Sequence, residues 1–300
     1  MTTIAPPPPA PASPPPLTPG NRTAVRVLLV IAAAAVVIST VVALGVTSWG
    51  LSTLRVVADE KALPADTKAL VIDIGDVPAA VRITADRDGG EPRVRMRLLN
   101  SSRAGDHNLT LTDEAGTARL VVDGAPSPFT GWARSPLGDW DSAGEVNVIL
   151  PPELARRMSI TVRQQRGMVF TQTDVDELVV DSAHGDVLLG GGARRVQIRT
   201  EDGDVSTREP TSVTESFVVD SSDGDVDAEF RDAAPRRVDV TTRDGDVAMS
   251  LPRPGPYLVN ASGGSTQVEV PRTNDPARAA ATVTVRSDTG DVTVNGLSRG

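Results

Sequence analysis

Three closely similar stretches recur in the chain: Thr200-Glu-Asp-Gly-Asp-Val205, Ser221-Ser-Asp-Gly-Asp-Val226 and Thr242-Arg-Asp-Gly-Asp-Val247. Each has a hydroxyl residue three positions before a glycine, and an aspartate and a valine directly after it. Similar stretches occur at His184-Gly-Asp-Val187 and Thr289-Gly-Asp-Val292. Self-similarity at a period of about 20 residues is typical of repeat architectures.

Working outward from these stretches, seven glycines share one register, and the positions seven and five residues before each of them are apolar or aromatic. The glycines are Gly167, Gly185, Gly203, Gly224, Gly245, Gly264 and Gly290. The pairs before them are Ile160/Val162, Leu178/Val180, Val196/Ile198, Phe217/Val219, Val238/Val240, Tyr257/Val259 and Val283/Val285. Apolar residues at a spacing of two predict a strand with one buried face.

A single 20-residue unit cannot bury its own apolar face, whereas stacked units bury a continuous one. We therefore predict an all-β fold, a parallel β-solenoid of stacked coils over 159–300. Its rival is an up-and-down barrel or a sandwich, because Asp-Gly is also a hairpin signal. One bend per unit, always at the same place, favours the stack. The long last interval, up to Gly290, is interpreted as an inserted loop at 271–278.

Residues 68–158 form a less regular β region that starts the stack. Leu70–Val77 resembles the repeat motif, and alternating runs follow, some of them in hairpins. These runs are Val81–Ile83, Val94–Leu98, Leu109–Leu111, Leu120–Val122 and Val146–Leu150. Helix signals are absent outside the membrane segment described next.

The N-terminal part predicts a membrane anchor. Residues 1–24 are proline-rich and form a disordered tail. Residues 25–52 form one transmembrane helix in the lipid bilayer, since about 20 apolar residues span its core, and 53–67 form a linker. The run is too long for a cleaved signal peptide. Arg22 and Arg26 place the N-terminus in the cytoplasm and the C-terminal domain outside it.

Composition excludes several classes of site. The chain of 300 residues has no cysteine and two histidines, which excludes disulfides, thiol nucleophiles and multi-histidine metal sites. All 39 acidic residues lie in 59–300 with 27 of the 30 basic ones. An acidic domain does not suit nucleic acid, whose phosphates need a basic surface. No cofactor and no catalytic residue is predicted.

The repeat resembles a bacterial "putative adhesin" family of unknown function, whose members carry β-strand repeats with Ser/Thr-x-x-Gly-Asp-Val motifs. The resemblance covers about 68–297 and includes the run Val146-Asn-Val-Ile-Leu-Pro-Pro-Glu153, which typically introduces the regular repeats in that family. The chain departs from the motif at Gly167 and Gly264, where the aspartate is missing. The resemblance implies the architecture and carries no catalytic residues.

The bend residues have two interpretations. They are Gly185, Asp186, Gly203, Asp204, Gly224, Asp225, Gly245, Asp246, Gly290 and Asp291. Glycine supplies the positive φ of a tight bend, and we expect Gly191, between two coils, to tolerate a side chain better. Each aspartate caps its bend through backbone N–H groups. The alternative is that Ca²⁺ binds along the stacked aspartates. Carboxylates about 4.8 Å apart repel each other, and a bound cation would relieve this repulsion.

Two other features are candidate interaction sites. The loop 125–140 concentrates Phe129, Trp132 and Trp140, and is either a binding loop or a lid over the end of the stack. Arg194-Arg195 and Arg236-Arg237 begin successive coils and are interpreted as a solvated edge. His184 is interpreted as an exposed turn residue.

Three functions remain open. The first is a non-enzymatic anchored envelope protein that presents a rigid surface for envelope or adhesive interaction with an unknown partner. The second is a signalling or regulatory protein that couples the external domain to the proline-rich tail. The third is a carbohydrate-active enzyme with paired carboxylates. The fold alone does not choose among them.

Overall fold

The computed structural model describes residues 54–101, 108–123 and 144–297. The predicted tail 1–24, the predicted membrane segment 25–52 and the whole predicted interaction loop 125–140 lie outside these residues. In the described part, no helix is long and apolar enough to cross a bilayer. The predicted all-β class is confirmed, and the described residues form 21 strands in two sheets.

One sheet has eleven strands, which are β1 (Leu54–Ala62), β3 (Ala80–Ala85), β4 (Arg93–Ser101), β7 (Gly144–Leu150), β9 (Val169–Thr171), β11 (Val187–Leu189), β13 (Val205–Thr207), β15 (Val226–Glu229), β17 (Val247–Leu251), β19 (Thr266–Glu269) and β21 (Val292–Gly296). Their order across the sheet is β1-β4-β7-β3-β9-β11-β13-β15-β17-β21-β19. Only β1–β4 and β4–β7 are antiparallel pairs in this sheet.

The other sheet has ten strands, which are β2 (Ala69–Gly75), β5 (Asn108–Glu114), β6 (Thr117–Asp123), β8 (Ser159–Arg166), β10 (Val175–His184), β12 (Ala193–Asp202), β14 (Val213–Asp223), β16 (Arg237–Asp244), β18 (Leu258–Ser262) and β20 (Thr282–Ser287). Their order is β18-β20-β16-β14-β12-β10-β8-β2-β6-β5. The hairpin β5–β6 is its antiparallel pair.

Successive coils stack with equivalent residues in register. In the ten-stranded sheet one column contains Ile160, Leu178, Val196, Phe217, Val238 and Val283. In the eleven-stranded sheet another contains Val169, Val187, Val205, Val226, Val247 and Val292. All of these side chains are at most 3% exposed and form one continuous core. Register and burial are consistent with a parallel β-solenoid.

Both ends of the stack depart from chain order. The coil of β18 and β19 was expected between its chain neighbours, but β20 and β21 lie there and β18/β19 is outermost. In this arrangement the Asp246 carboxylate accepts the backbone N–H of Asp291, in the β20/β21 coil, at 2.8 Å. At the other end, β6 and β7 lie outside β2 and β3.

Three local predictions were wrong. Part of the predicted linker 53–67 is β1, which pairs with β4. A single-turn helix, α1 (Pro152–Ala155), exists because Pro152 suits the first helical position. In the β2/β3 coil the residue equivalent to the repeat glycine is Ala79 rather than Gly75, since Val81 is the register partner of Val169.

Candidate functional site

The bend side of the stack is built on a column of glycines in van der Waals contact. A Cβ on Gly203 would lie 2.5 Å from the Gly185 carbonyl oxygen, and one on Gly224 would lie 2.2 Å from that of Gly203. Gly185 and Gly203 also have φ of +141° and +138°. Gly245 and Gly290 lie outside the left-handed range, so the prediction of a positive φ at every bend is wrong there. Close approach, rather than φ, is what the column shares.

The aspartates after the glycines form a hydrogen-bonded ladder. One carboxylate oxygen of Asp186 accepts the Asp204 N–H at 2.9 Å, and the same bond joins Asp204 to Asp225, Asp225 to Asp246 and Asp246 to Asp291 at 2.8–2.9 Å. The carboxylates were expected to cap their own bends; instead each accepts an N–H of the next coil. The aspartate ladder therefore joins five coils.

The residues directly before the glycines form a second row of side chains, parallel to the aspartate ladder. His184, Asp202, Asp223 and Asp244 occupy equivalent positions on adjacent strands. His184 is exposed, and its Nδ1 is 3.6 Å from the Asp202 carboxylate. With the aspartate ladder, this row makes the bend side an acidic surface. Within the described residues, no group of three or more His, Asp or Glu side chains is arranged to hold a metal ion.

Hydroxyl side chains support the bends from inside. Ser287 Oγ donates to the Gly245 carbonyl oxygen at 2.8 Å and accepts the Gly290 N–H at 2.8 Å. Thr242 Oγ1 is 3.4 Å from the Gly224 carbonyl oxygen. Both hydroxyl side chains are buried. At these two repeats the hydroxyl three positions before the glycine satisfies backbone groups in the interior, whereas the equivalent buried hydroxyls of Ser182 and Ser221 have no hydrogen-bond partner among the described residues.

Arg194 connects three coils at the opposite ends of the long strands. Its guanidinium makes two 2.8 Å bonds to the two carboxylate oxygens of Asp176 and a 2.9 Å bond to Glu215. Arg195 adds a 2.7 Å bond to Glu215. The interpretation of this arginine pair as a merely solvated edge is wrong for Arg194. Arg237 pairs with Asp239 in its own strand, and its side chain is 67% exposed.

These ion pairs shift the pKa values of the carboxyl groups. The hydrogen bonds from Arg194 hold the pKa of Asp176 below its ordinary value. The hydrogen bond from Arg195, with a contribution from Arg194, lowers the pKa of Glu215. Both carboxylates raise the pKa of Arg194. The network therefore favours the ionised form of each member.

The outer face of the ten-stranded sheet carries a charge ladder that sequence reasoning missed. Asp73, Arg163, Asp181, Arg199 and Asp220 are register partners on five adjacent strands, and their signs alternate. Arg163 and Arg199 are 3.9 and 3.8 Å from the Asp181 carboxylate. The available signal was a charged residue four positions before the glycine in successive repeats.

The eleven-stranded sheet carries a polar groove on its outer face. Glu229, Ser250, Asn295 and Glu269 are register partners on β15, β17, β21 and β19. Arg253 lies beside them and packs over Gly296, and the groove has a volume of about 430 Å³. The available signal, which sequence reasoning missed, was a polar residue five positions after Gly224, Gly245, Gly264 and Gly290.

The aromatic candidates of the interaction loop cannot be placed in this geometry. Phe129, Trp132 and Trp140 lie in 124–143, outside the described residues. The bend residues, in contrast, are brought together in one ladder. The described part of the candidate site is therefore a rigid, hydrogen-bonded edge with acidic side chains.

Several solved structures have a similar fold. A "putative adhesin" of Bacteroides fragilis has 12% identity and a TM-score of 0.46, with 81% of this chain and 97% of that chain covered. A "putative cell adhesion protein" of Clostridium sporogenes has 8% identity and a TM-score of 0.38, with 81% and 100% covered. A "putative lipid binding protein" of Parabacteroides distasonis has 12% identity and a TM-score of 0.38, with 81% and 97% covered.

No curated protein matches the sequence significantly. The family model described as Toastrack DUF4097 matches residues 142–295. This range begins at the run that introduces the regular repeats and ends in β21, so it contains the whole glycine column and the aspartate ladder. The resemblance to an adhesin-like family of unknown function is confirmed, and the chain belongs to the Toastrack DUF4097 family.

Proposed function

We propose that the chain is a single-pass membrane protein of the cell envelope whose β-repeat domain lies outside the cytoplasm. There it presents a rigid surface for interaction and catalyses no reaction. The observation that carries the proposal is the aspartate ladder. The carboxylates of Asp186, Asp204, Asp225 and Asp246 hold neighbouring coils together, so their role is to stiffen a scaffold.

The sequence supports the anchor. Residues 27–54 contain no charged side chain, and Arg22 and Arg26 lie on their N-terminal side. This arrangement supports a cytoplasmic N-terminus and an external C-terminal domain. The acidic bend side would face other envelope components, where it would repel anionic polymers and attract basic ones.

One observation favours a signalling or regulatory role as the second candidate. β1 begins at Leu54, directly after the predicted membrane segment 25–52, and it is paired along its length with β4. Most of the segment predicted as a linker is therefore a paired strand, which supports coupling between the β domain and the predicted membrane segment. In that case the proline-rich tail 1–24 would bind a cytoplasmic partner.

Protease accessibility tests the proposed topology. In cells that carry tags at Met1 and Gly300, protease added from outside should remove the C-terminal tag and spare the N-terminal one. Any outer membrane is made permeable first, and a cytoplasmic protein serves as the control for lysis. Protection of the C-terminal tag would contradict the orientation.

Affinity capture separates the two candidate functions. The full chain and a chain without 1–24 are purified from membranes side by side. An envelope scaffold keeps the same partners in both samples. A partner that is lost with 1–24 would favour the signalling role.

A further inference from the structure

The two ends of the stack differ in how well they are closed. At the β18/β19 end, the inward-facing Val259 and Ala261 are only partly buried, whereas their register partners Val283 and Val285 on β20 are 0% exposed. Val268 on β19 is likewise partly buried, beside a fully buried Val294. Within the described residues, the core at this end is therefore incompletely covered.

Both strands at this end also have backbone groups directed away from their sheets. The Leu258 N–H donates to the Ala281 carbonyl oxygen, on the β20 side. Since the direction alternates along a parallel strand, Val259 and Ala261 direct their N–H and C=O groups outward. By the same alternation from Ser265, which accepts the Val292 N–H, Thr266 and Val268 direct theirs outward on β19.

The chain covers only the start of this end. The Tyr257 N–H donates to the Pro271 carbonyl oxygen at 2.8 Å, and the Tyr257 carbonyl oxygen accepts the Thr273 N–H at 2.9 Å. Tyr257 is accordingly buried. The residues that follow it in β18 have no such cover among the described residues.

The edge strands at the other end are protected by charge. β1 contains Asp59, Glu60 and Lys61, and β5 ends in Asp113 and Glu114. Charged side chains on an edge strand prevent pairing with another chain. β18 has no charged residue, and β19 has only Glu269. The β18/β19 end therefore lacks the usual protection.

We propose that this end binds the same end of a second copy of the chain, with β18 antiparallel to β18 and β19 antiparallel to β19. Asn260 and Gln267 are each three residues from the glycine pair Gly263-Gly264, one before it and one after it. They therefore lie opposite each other across the core, and one two-fold axis normal to the sheets passes near both.

This register suits the side chains and the backbone. Val259 lies opposite Ala261 of the second copy and Thr266 lies opposite Val268, so each opposed pair exchanges both N–H···O bonds. Asn260 and Gln267 each face their own equivalents, and their amides can hydrogen-bond across the axis. Glu269 faces Ser265 of the second copy, so no like charges are opposed.

A second copy fits this end better than an isolated peptide does. A single extended peptide can pair with β18 or with β19, whereas a second copy pairs with both and closes the core. Sheets about 10 Å apart with strands of about 20 Å present a small end. The interface then belongs to the class that buries less than about 1,200 Å² in total, so we expect a weak, concentration-dependent dimer.

Cysteine cross-linking tests this proposal, because the native chain has no cysteine. Asn260→Cys and Gln267→Cys are made separately in the full chain, which is solubilised in detergent and oxidised. Residues opposed in a non-hydrogen-bonded antiparallel pair have Cα atoms about 4.5 Å apart, within disulfide range. Thr241→Cys is the matched control, since Thr241 is exposed on β16, two strands from the edge.

We expect both end variants to form a disulfide dimer at least tenfold faster than Thr241→Cys, with a rate that rises with protein concentration. Adding Ala261→Pro to Asn260→Cys should abolish this advantage. It removes an outward N–H and no bond to β20, and an unchanged melting temperature would show that the domain is intact. Cross-linking no faster than the control, at either position, would overturn the proposal. A cross-linked product of any mass other than twice the chain would overturn it as well.

Discussion

Replacing Gly203 by alanine tests the physical basis of the stack. Two separate costs are expected at this position. A residue with a side chain at φ of +138° adopts a sparsely populated backbone conformation, which costs at least about 1 kcal/mol. The new Cβ would also lie 2.5 Å from the Gly185 carbonyl oxygen, inside van der Waals contact.

The contact can be relieved only by moving two coils apart at the bend. That movement strains the bond from the Asp204 N–H to Asp186 and the bond from the Gly185 N–H to the Asp202 carbonyl oxygen. Weakening two hydrogen bonds costs about 1 kcal/mol each. The total is about 3–4 kcal/mol, a large part of the roughly 5–15 kcal/mol by which a domain is stable.

Two control variants separate the costs. Gly75 has φ of +57° and nothing within 4 Å of the position of a Cβ, so Gly75→Ala measures strain alone, about 1 kcal/mol. Gly290 lies outside the left-handed range, but its Cβ would be 2.0 Å from the Gly245 carbonyl oxygen. Gly290→Ala therefore measures close approach alone, about 2 kcal/mol. Gly191, which the sequence offers as a tolerant position, is unsuitable, since its Cβ would be 2.1 Å from the Thr173 carbonyl oxygen.

The assay is thermal unfolding of the full chain in detergent, followed by the circular dichroism of the β domain. One kcal/mol shifts the melting temperature of a domain of this size by about 2–4 °C. The expected order of destabilisation is Gly203→Ala, then Gly290→Ala, then Gly75→Ala. If Gly290→Ala were as mild as Gly75→Ala, close approach of the coils would not be the reason for the glycine column.

Three further outcomes are expected. Asp225→Ala should lower the free energy of unfolding by about 0.5–2 kcal/mol, as the loss of a capping side chain does. The loss should be the same in chelator, in magnesium and in calcium at matched ionic strength. A rise in melting temperature that is specific to calcium and is abolished in the triple variant Asp204→Ala/Asp225→Ala/Asp246→Ala would contradict this. Because the pKa values of Asp176 and Glu215 are lowered in the folded state, their contribution to stability is complete above their ordinary values of 3.8 and 4.5 and is lost as the pH falls through the folded-state values. Arg194→Gln should therefore lower the melting temperature at pH 7, and the melting temperature of the variant should decrease less steeply between pH 5 and pH 3. Arg237→Gln is the exposed control. An unchanged pH profile would show that the network adds nothing to the stability. Combined replacement of Phe129, Trp132 and Trp140 by alanine should leave the melting temperature within about 2 °C of the native value if the loop binds a partner, and lower it further if the loop is a lid.

The regular part of the fold was predictable because two short-range periods coincide. Alternating apolar residues, such as Val238 and Val240, specify the buried face, and the glycine spacing specifies the coil. The order of the last two coils was not predictable from these periods. Both coils have the apolar pair before the glycine, so these periods do not indicate which coil lies next to that of Asp246; in the structure it is the coil of Asp291.

The candidate site was predictable in its residues and only partly in its contacts. The sequence identifies Asp204 and Asp225 as bend residues, but the partner of each carboxylate depends on which coil is adjacent. The charge ladder was missed for the same reason. Arg163, Asp181 and Arg199 are 18 residues apart in turn, and their alternation of sign has a meaning only once the strands are known to be neighbours.

The inverted order of the terminal coils has a mechanical consequence. The last described strand, β21, lies between β17 and β19, and β20 lies between β16 and β18. Each of these two C-terminal strands is therefore paired with a neighbouring strand on both sides. A force applied at the C-terminus must shear two ladders at once instead of peeling an edge strand. Removing residues 282–300 would leave β18 and β19 without a partner strand, so a small truncation should release two coils together.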